Sequence, residues 1–235
     1  MKKKLKFLIE KNNVLAEIFR AIYRATMVKY KNKKQNRLFI KKGKDVLFGI
    51  DSVFKEIGVD YWLIFGTLLG AIREKGFISH DIDIDLGMWA RDYSIEHEKF
   101  FNRYGFKKKI SFIANNGIVA REDTYEKDGI YIDIFYFFKK DDKMVCHTFL
   151  NKEGYSWDKT IQEFGGLLVR ELSFKYAGFS YINLFNKQFM VPKNYKEHLE
   201  ASYGKNYMKP DPNYSNDIAT NAKILPNIYA KKYNY

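Results

Sequence analysis

The chain has 235 residues and a net charge of +13, with 46% hydrophobic residues, 17% aromatic ones and a single cysteine. That much apolar material excludes a disordered chain, and one cysteine excludes an internal disulfide framework and fits a reducing compartment. The charge is uneven: residues 1–44 hold fifteen Lys or Arg against Glu10 and Glu17, while the remainder balances 26 basic with 26 acidic residues. A nucleic-acid groove should be basic across the fold, so the neutral body argues against one and leaves the basic arm to meet an anionic surface.

Residues 1–30 place Leu8, Leu15, Ile18, Phe19 and Ile22 at helical spacing among lysines and arginines, which predicts a basic amphipathic helix. Its apolar part is shorter than the roughly 20 residues that a bilayer span needs. Glu10, Lys11 and Glu17 interrupt any signal-peptide core. Two placements stand side by side: peripheral contact with an anionic membrane, or packing on the protein's own body. Residues 29–44 read as a basic connector. Residues 45–58 put Val46, Leu47, Ile50, Val53, Phe54 and Ile57 on one helical face, with Gly58 as the C-cap.

VDYWLIFG reads as a buried strand ending at Gly66, and TLLGAIREKG as a short helix. Thr67 then sits near a helix N-terminus, where free N–H groups and the helix dipole favour an anion. The Gly66-Thr67 turn is placed to meet a phosphate, and a plain N-cap role for Thr67 is compatible with that. Next, Asp81, Asp83 and Asp85 alternate with Ile82, Ile84 and Leu86. Alternation is the period of a strand buried on one face, so the three carboxylates share the other face. Carboxylates that close repel one another, and a hard cation relieves the repulsion. Mg²⁺ favours one or two carboxylates plus substrate phosphates, so the pattern reads as a metal site for phosphoryl chemistry. A solvated outer face is the plainer alternative. The apolar YWLIF run, glycine turn and second apolar segment before it argue against that alternative.

DYSIEHEKFFNRYGF predicts a helix. KKKISFIA and IVAREDT predict strands around an Asn115-Asn116-Gly117 turn. GIYIDIFYFF is a buried strand carrying a lone carboxylate, Asp133, which needs a partner because a buried unpaired charge is costly. A cation shared with Asp83 and Asp85 supplies one; a buried Arg or a turn is the alternative. MVCHTFL returns as a strand with Cys146 as a small buried hydrophobe. YKEHLEASYG predicts a helix closed by Gly204. Residues 216–235 lack periodicity and are expected to pack loosely.

A glycine followed by Thr, then alternating acids on one strand and a third acid on a later strand, is the pattern of the nucleotidyltransferase fold. The wider stretch GTLLGAIREKGFISHDIDIDLG, continued at GIYIDIFYF and VPKNYKEHLEASYGKNYMKP, resembles the LicD/fukutin family over roughly residues 45–212. Ser79-His80 stands where many members have Pro-Trp. The resemblance implies a phosphotransferase that moves a phospho-alcohol from a CDP-linked donor onto a sugar hydroxyl and releases CMP. In bacteria, the products of such enzymes include lipopolysaccharide decorations, teichoic acid and capsule. It implies Asp83 and Asp85 as the pair binding Mg²⁺ (or Mn²⁺), Asp133 as the third acid, and Gly66 and Thr67 as donor-phosphate contacts. Asp133 completes the metal shell or takes the acceptor's proton. Asp81 is a further ligand or supporting group, Arg73 and Lys75 are candidates to hold the diphosphate, and Tyr203 is a candidate to shape the pocket. His80, beside the cluster, reads as a plain loop histidine.

The expected architecture is an α/β nucleotidyltransferase-like mixed sheet flanked by helices. Residues 1–44 form an arm, 45–150 a catalytic core, and 151–235 an extension packed on the core that completes the pocket. The expected partners are a CDP-linked donor, a glycan acceptor that is free or lipid-linked, and an anionic membrane touched by residues 1–30; no nucleic acid is expected. The expected location is cytoplasmic, peripheral on the inner face of a bacterial membrane. One rival reading is a true nucleotidyltransferase, which would release pyrophosphate. Another is a nucleic-acid binder acting through the arm, with steep salt dependence. A dead scaffold is disfavoured by the retained acids.

Overall fold

The computed structural model describes residues 13–211 and 219–235, with side chains from residue 32 onward. Its first element is helix α1, Asn13–Ile57, which runs unbroken through the stretch expected to be a connector. Lysines and glutamines are good helix formers, so a charged stretch without proline continues a helix once it is started. From Phe39 the helix buries Val46, Leu47, Ile50, Val53 and Phe54, the face expected for residues 45–58. It ends at Gly58, which takes φ +69 as a left-handed cap. The former connector also anchors a loop: Asn36 Nδ2 donates to the carbonyls of Ser79 (3.0 Å) and Asp81 (2.8 Å). Residues 1–12 and the side chains of the amphipathic segment lie outside the described residues. Among the described residues no helix is long and apolar enough to cross a membrane.

Strand β1 (Tyr61–Leu63) leads into helix α2 (Phe65–Arg73), then β2 (Asp83–Trp89). The helix expected from DYSIEHEKFFNRYGF shortens to α3 (Glu98–Arg103), preceded by single 3-10 turns. The predicted strands around Asn115-Asn116-Gly117 are β3 (Lys107–Ala114) and β4 (Ala120–Lys127). Next come β5 (Ile130–Lys140) and β6 (Lys143–Leu150). The last third is more regular than its sequence pattern suggests: α4 (Trp157–Phe164), β7 (Leu167–Lys175), β8 (Phe179–Leu184), β9 (Lys187–Pro192), α5 (Tyr195–Tyr203) and β10 (Ala222–Asn234). Gly204 closes α5 through its N–H to the Glu200 carbonyl, as expected.

Eight strands form one mixed sheet in the order β1-β2-β5-β4-β3-β10-β7-β6, and β5 also pairs with β6. The extra pairing closes β3, β4, β5, β6, β7 and β10 into a ring, which removes their free edges. The β2–β5 pair is parallel and the remaining pairs are antiparallel. One face of β2 and β5 buries Ile84, Leu86, Met88, Ile132, Ile134 and Tyr136 against α1. Gly87, on the other face, lets Trp62 in: a Cβ there would lie 2.3 Å from Trp62 Nε1. Cys146 is buried and free, as expected.

The tail corrects the expectation of loose packing. β10 pairs with β7 through Ala222–Ile224 and Tyr229–Ala230, and with β3 through Lys231–Asn234. A register shift between Ile224 and Tyr229 lets one strand serve two neighbours. That shift breaks the period-two alternation by which a strand is read from sequence. Ala230 is fully buried.

Candidate active site

The turn from β1 into α2 builds the site. Phe65 adopts φ +45, a left-handed conformation unusual for a bulky residue, and starts α2. The turn aims the Gly66 N–H at Asp85, with N to Oδ2 at 2.9 Å. A Cβ at Gly66 would stand 3.0 Å from that oxygen, so glycine allows the close approach. Thr67 is fully buried, and its hydroxyl accepts the Asp85 N–H at 2.9 Å. The anion received at this helix N-terminus is therefore the chain's own Asp85. Thr67 positions that strand; the N-cap is Ile64, which makes no side-chain bond.

β2 begins at Asp83, and Asp81 precedes it in a turn closed by its N–H to the Ile78 carbonyl (3.0 Å). Asp85 lies directly opposite Asp133 in the parallel pair, and Asp133 opposite Thr124 of β4. Thr124 Oγ1 donates to Asp133 Oδ1 at 2.6 Å. Burial, then the neighbouring charge of Asp83, pushes Asp133 up to about 7. Burial, then Asp83 and Glu74, does the same to Asp81. Asp85 is raised well above the usual range by burial and by Asp83, Asp133 and Asp81. Burial also raises Asp83. One further acid joins them: Glu122 on β4 is raised by burial, then by Asp133, Asp123 and Asp83. Sequence reading missed Glu122 because AREDT looks like an ordinary polar strand; only the β4–β5 register brings it near the site.

A cavity of about 360 Å³ opens at this cluster. It is lined by Phe65, Gly66, Asp81, Asp83, Asp85 and Phe135 together with Thr148, Arg170, Leu172, Ser202, Tyr203 and Ala219. Tyr203, a candidate from the sequence, is among the lining residues. Asp133 lies beside Asp85 on the neighbouring strand, half-buried and outside the lining. Arg73 is outside the lining: Nη1 donates to the Tyr207 carbonyl at 3.2 Å and Nη2 to Glu74 at 3.0 Å, while its charge partly offsets the upward shift of Asp81. Lys75 and His80 are exposed outside the cavity lining. Arg170 and Thr148 were not anticipated, since VREL and CHTF carry no motif and meet the aspartates only through closure of the ring.

Among the described residues, no group of three or more His, Cys, Asp or Glu side chains is disposed to hold a metal ion by itself. Mg²⁺ asks for less: one or two carboxylates, with the remaining positions filled by water and substrate phosphates. Asp83 and Asp85 supply oxygen donors of the right hardness at the cavity wall. Asp81 Oδ2 is buried beside them with no hydrogen-bond partner. An orphaned carboxylate oxygen among like charges fits a hard cation.

Residues 58–166 match the family described as LicD/FKTN/FKRP, nucleotidyltransferase domain. The mouse protein named ribitol-5-phosphate transferase FKTN is 28% identical over 178 residues, covering 74% of this chain and 34% of that protein. The human ribitol 5-phosphate transferase FKRP is 27% identical over 168 residues, 70% of this chain and 31% of its own. An uncharacterized protein of Rickettsia typhi is 33% identical over 90 residues, 37% of this chain and 26% of its own. The chain thus spans about a third of the length of the transferases it matches. The segment that matches the LicD/FKTN/FKRP nucleotidyltransferase-domain family contains β1, α2 and the whole carboxylate cluster.

Proposed function

We propose that this protein is a phosphotransferase that moves a phospho-alcohol group from a CDP-linked donor onto a sugar hydroxyl of a glycan and releases CMP. The observation that carries the reading is the register of β2 on β5: Asp85 faces Asp133, with Asp83 and Asp81 beside it on a cavity wall. The family match and relatives named as ribitol-5-phosphate transferases support the same chemistry.

Phosphoryl transfer asks a protein chiefly for positioning and for compensation of negative charge. Mg²⁺ (or Mn²⁺) on Asp83 and Asp85 would neutralise the phosphate oxygens and the leaving CMP. Gly66 and Thr67 hold Asp85 at its carboxylate and at its backbone. Asp133, fixed by Thr124, backs that pair from the next strand. Phe65 and Phe135, with ring centroids 4.8 Å apart, form an apolar corner of the cavity that limits water.

The test is binding and turnover of a panel of CDP-alcohols (ribitol, glycerol, choline, ethanolamine) with and without Mg²⁺. Mg²⁺-dependent binding of one donor, with CMP released on addition of a glycan acceptor, is the expected result. The family's domain description also favours a second reading, transfer of a nucleotide itself. Binding of nucleoside triphosphates with pyrophosphate release would establish that reading instead.

We also assign residues 1–30 to peripheral contact with an anionic membrane, where a lipid-linked glycan would be met. The support is the basic amphipathic pattern alone. Flotation with anionic liposomes should depend on this segment; equal flotation of the full and arm-deleted chains would refute the assignment.

A further inference from the structure

Asp81 is held in an unfavourable place. It lines the cavity with Asp83 and Asp85, and its buried Oδ2 has no hydrogen-bond partner. Like charges on one wall push its carboxylate away from the others. Within the turn, the Asp81 N–H donates to the Ile78 carbonyl at 3.0 Å, and the Ser79 N–H donates to Glu74 Oε2 at 3.1 Å.

A further hold comes from α1, 45 residues earlier in the chain. Asn36 Nδ2 donates to the Asp81 carbonyl at 2.8 Å and to the Ser79 carbonyl at 3.0 Å. Both hydrogens of one amide thus reach the same turn. Phe39 and Gly43 follow Asn36 at helical spacing and share its face. Phe39 packs on Phe77 with ring centroids 4.6 Å apart. A Cβ on Gly43 would lie 3.0 Å from Phe77 Cε2, so glycine there admits the ring. Phe77 belongs to the same α2–β2 connection as Ser79 and Asp81. One helix face therefore seats one loop. Two of its three residues, asparagine and glycine, are poor helix formers placed inside a 45-residue helix. Their contacts with the loop, rather than the needs of the helix, account for them.

We propose that Asn36 is a positioning residue of the candidate metal site: through the Asp81 and Ser79 carbonyls it holds the Asp81 carboxylate beside its neighbours, where a divalent cation binds. The stretch that composition reads as a basic connector thereby forms part of the site. This inference rests on the reading of Asp81, Asp83 and Asp85 as a cation site.

The experiment titrates Mn²⁺ into the full chain, with and without CDP, by electron paramagnetic resonance. The variants are Asn36→Ala, Asp81→Asn, the double variant and Ile50→Val, each also followed by thermal melting. Ile50 is fully buried on the same helix, in the core beneath the sheet, so Ile50→Val loosens α1 without removing a bond to the turn. Asn36→Ala should weaken Mn²⁺ about ten- to a hundredfold, the scale for a group that orients a ligand. Ile50→Val should bind Mn²⁺ as wild type does. In the Asp81→Asn background, Asn36→Ala should cost no further affinity, because both act through one carboxylate. Wild-type Mn²⁺ affinity in Asn36→Ala would overturn the proposal. Equal losses from Asn36→Ala in both backgrounds, or a matching loss in Ile50→Val, would overturn it too, since either marks a looser fold in general. If Asn36→Ala does not fold, Asn36→Ser, which keeps one donor, decides by the same comparison. Wild type that binds no Mn²⁺, with or without CDP, would overturn the cation reading itself. Wild type that binds Mn²⁺, with Asn36 variants that bind it equally well, would overturn only the role of Asn36.

Discussion

Asp85→Asn is expected to lower transfer roughly a thousandfold or more, the scale of losing a group that compensates transition-state charge. The fold should survive. Asparagine keeps an oxygen to accept the Gly66 N–H, and the Thr67 bond is made by the backbone of residue 85. In chelator the variant should melt higher than wild type. Burial and the charges of Asp83, Asp133 and Asp81 already oppose ionisation of Asp85, so neutralising it removes repulsion. About 1–3 kcal/mol is the scale for relieving an imperfectly compensated buried group, and each kcal/mol moves the melting point of a chain this size by about 2–4 °C. Asp133→Asn should lose less activity, about ten- to a hundredfold, because it lies on the neighbouring strand outside the cavity lining. Turnover and thermal melts, both with and without Mg²⁺, check the pair. Equal activity of Asp85→Asn and wild type would remove the carboxylate cluster from the chemistry; a melt lowered by several degrees would give Asp85 a structural role instead.

Deleting residues 222–235 is expected to abolish cooperative folding. The deletion takes β10 out of the middle of the sheet and opens the closed ring. It exposes the β3 and β7 edges, which are templates for aggregation. Total stability of a domain is only about 5–15 kcal/mol, and a central strand with a fully buried Ala230 contributes a large share of it. Ala230→Asp is the point version, since it places an unpaired charge in the apolar cluster of Phe112, Phe149, Leu167 and Val169. Size-exclusion chromatography and melting curves read both. A truncated chain with the wild-type melting point would show that the ring does not need β10.

Local pattern carried much of the fold because local pattern has a physical period. The face of α1 from Val46 to Ile57, the β3–β4 hairpin, the apolar faces of β2 and β5, and the Gly204 cap of α5 each follow from helix or strand spacing or from glycine chemistry. Asp81, Asp83 and Asp85 were legible as a cluster for the same reason, since alternation places them on one side whatever the strand pairs with. The helical course of residues 29–44 was not legible, because charge alone does not distinguish a solvated helix from a connector.

By itself the sequence determined the carboxylate cluster, the apolar face beneath it, the uneven charge and the family resemblance. These are properties of short spans, set by side-chain period and composition. Tertiary structure alone decided that the helix N-terminus at Gly66 serves Asp85, that Arg73 donates to Tyr207, and that Arg170 lines the same cavity as the acids. It also made an unpatterned tail the strand that closes the ring. Those outcomes depend on strand register and ring closure between residues far apart in the chain, and no local spacing encodes them.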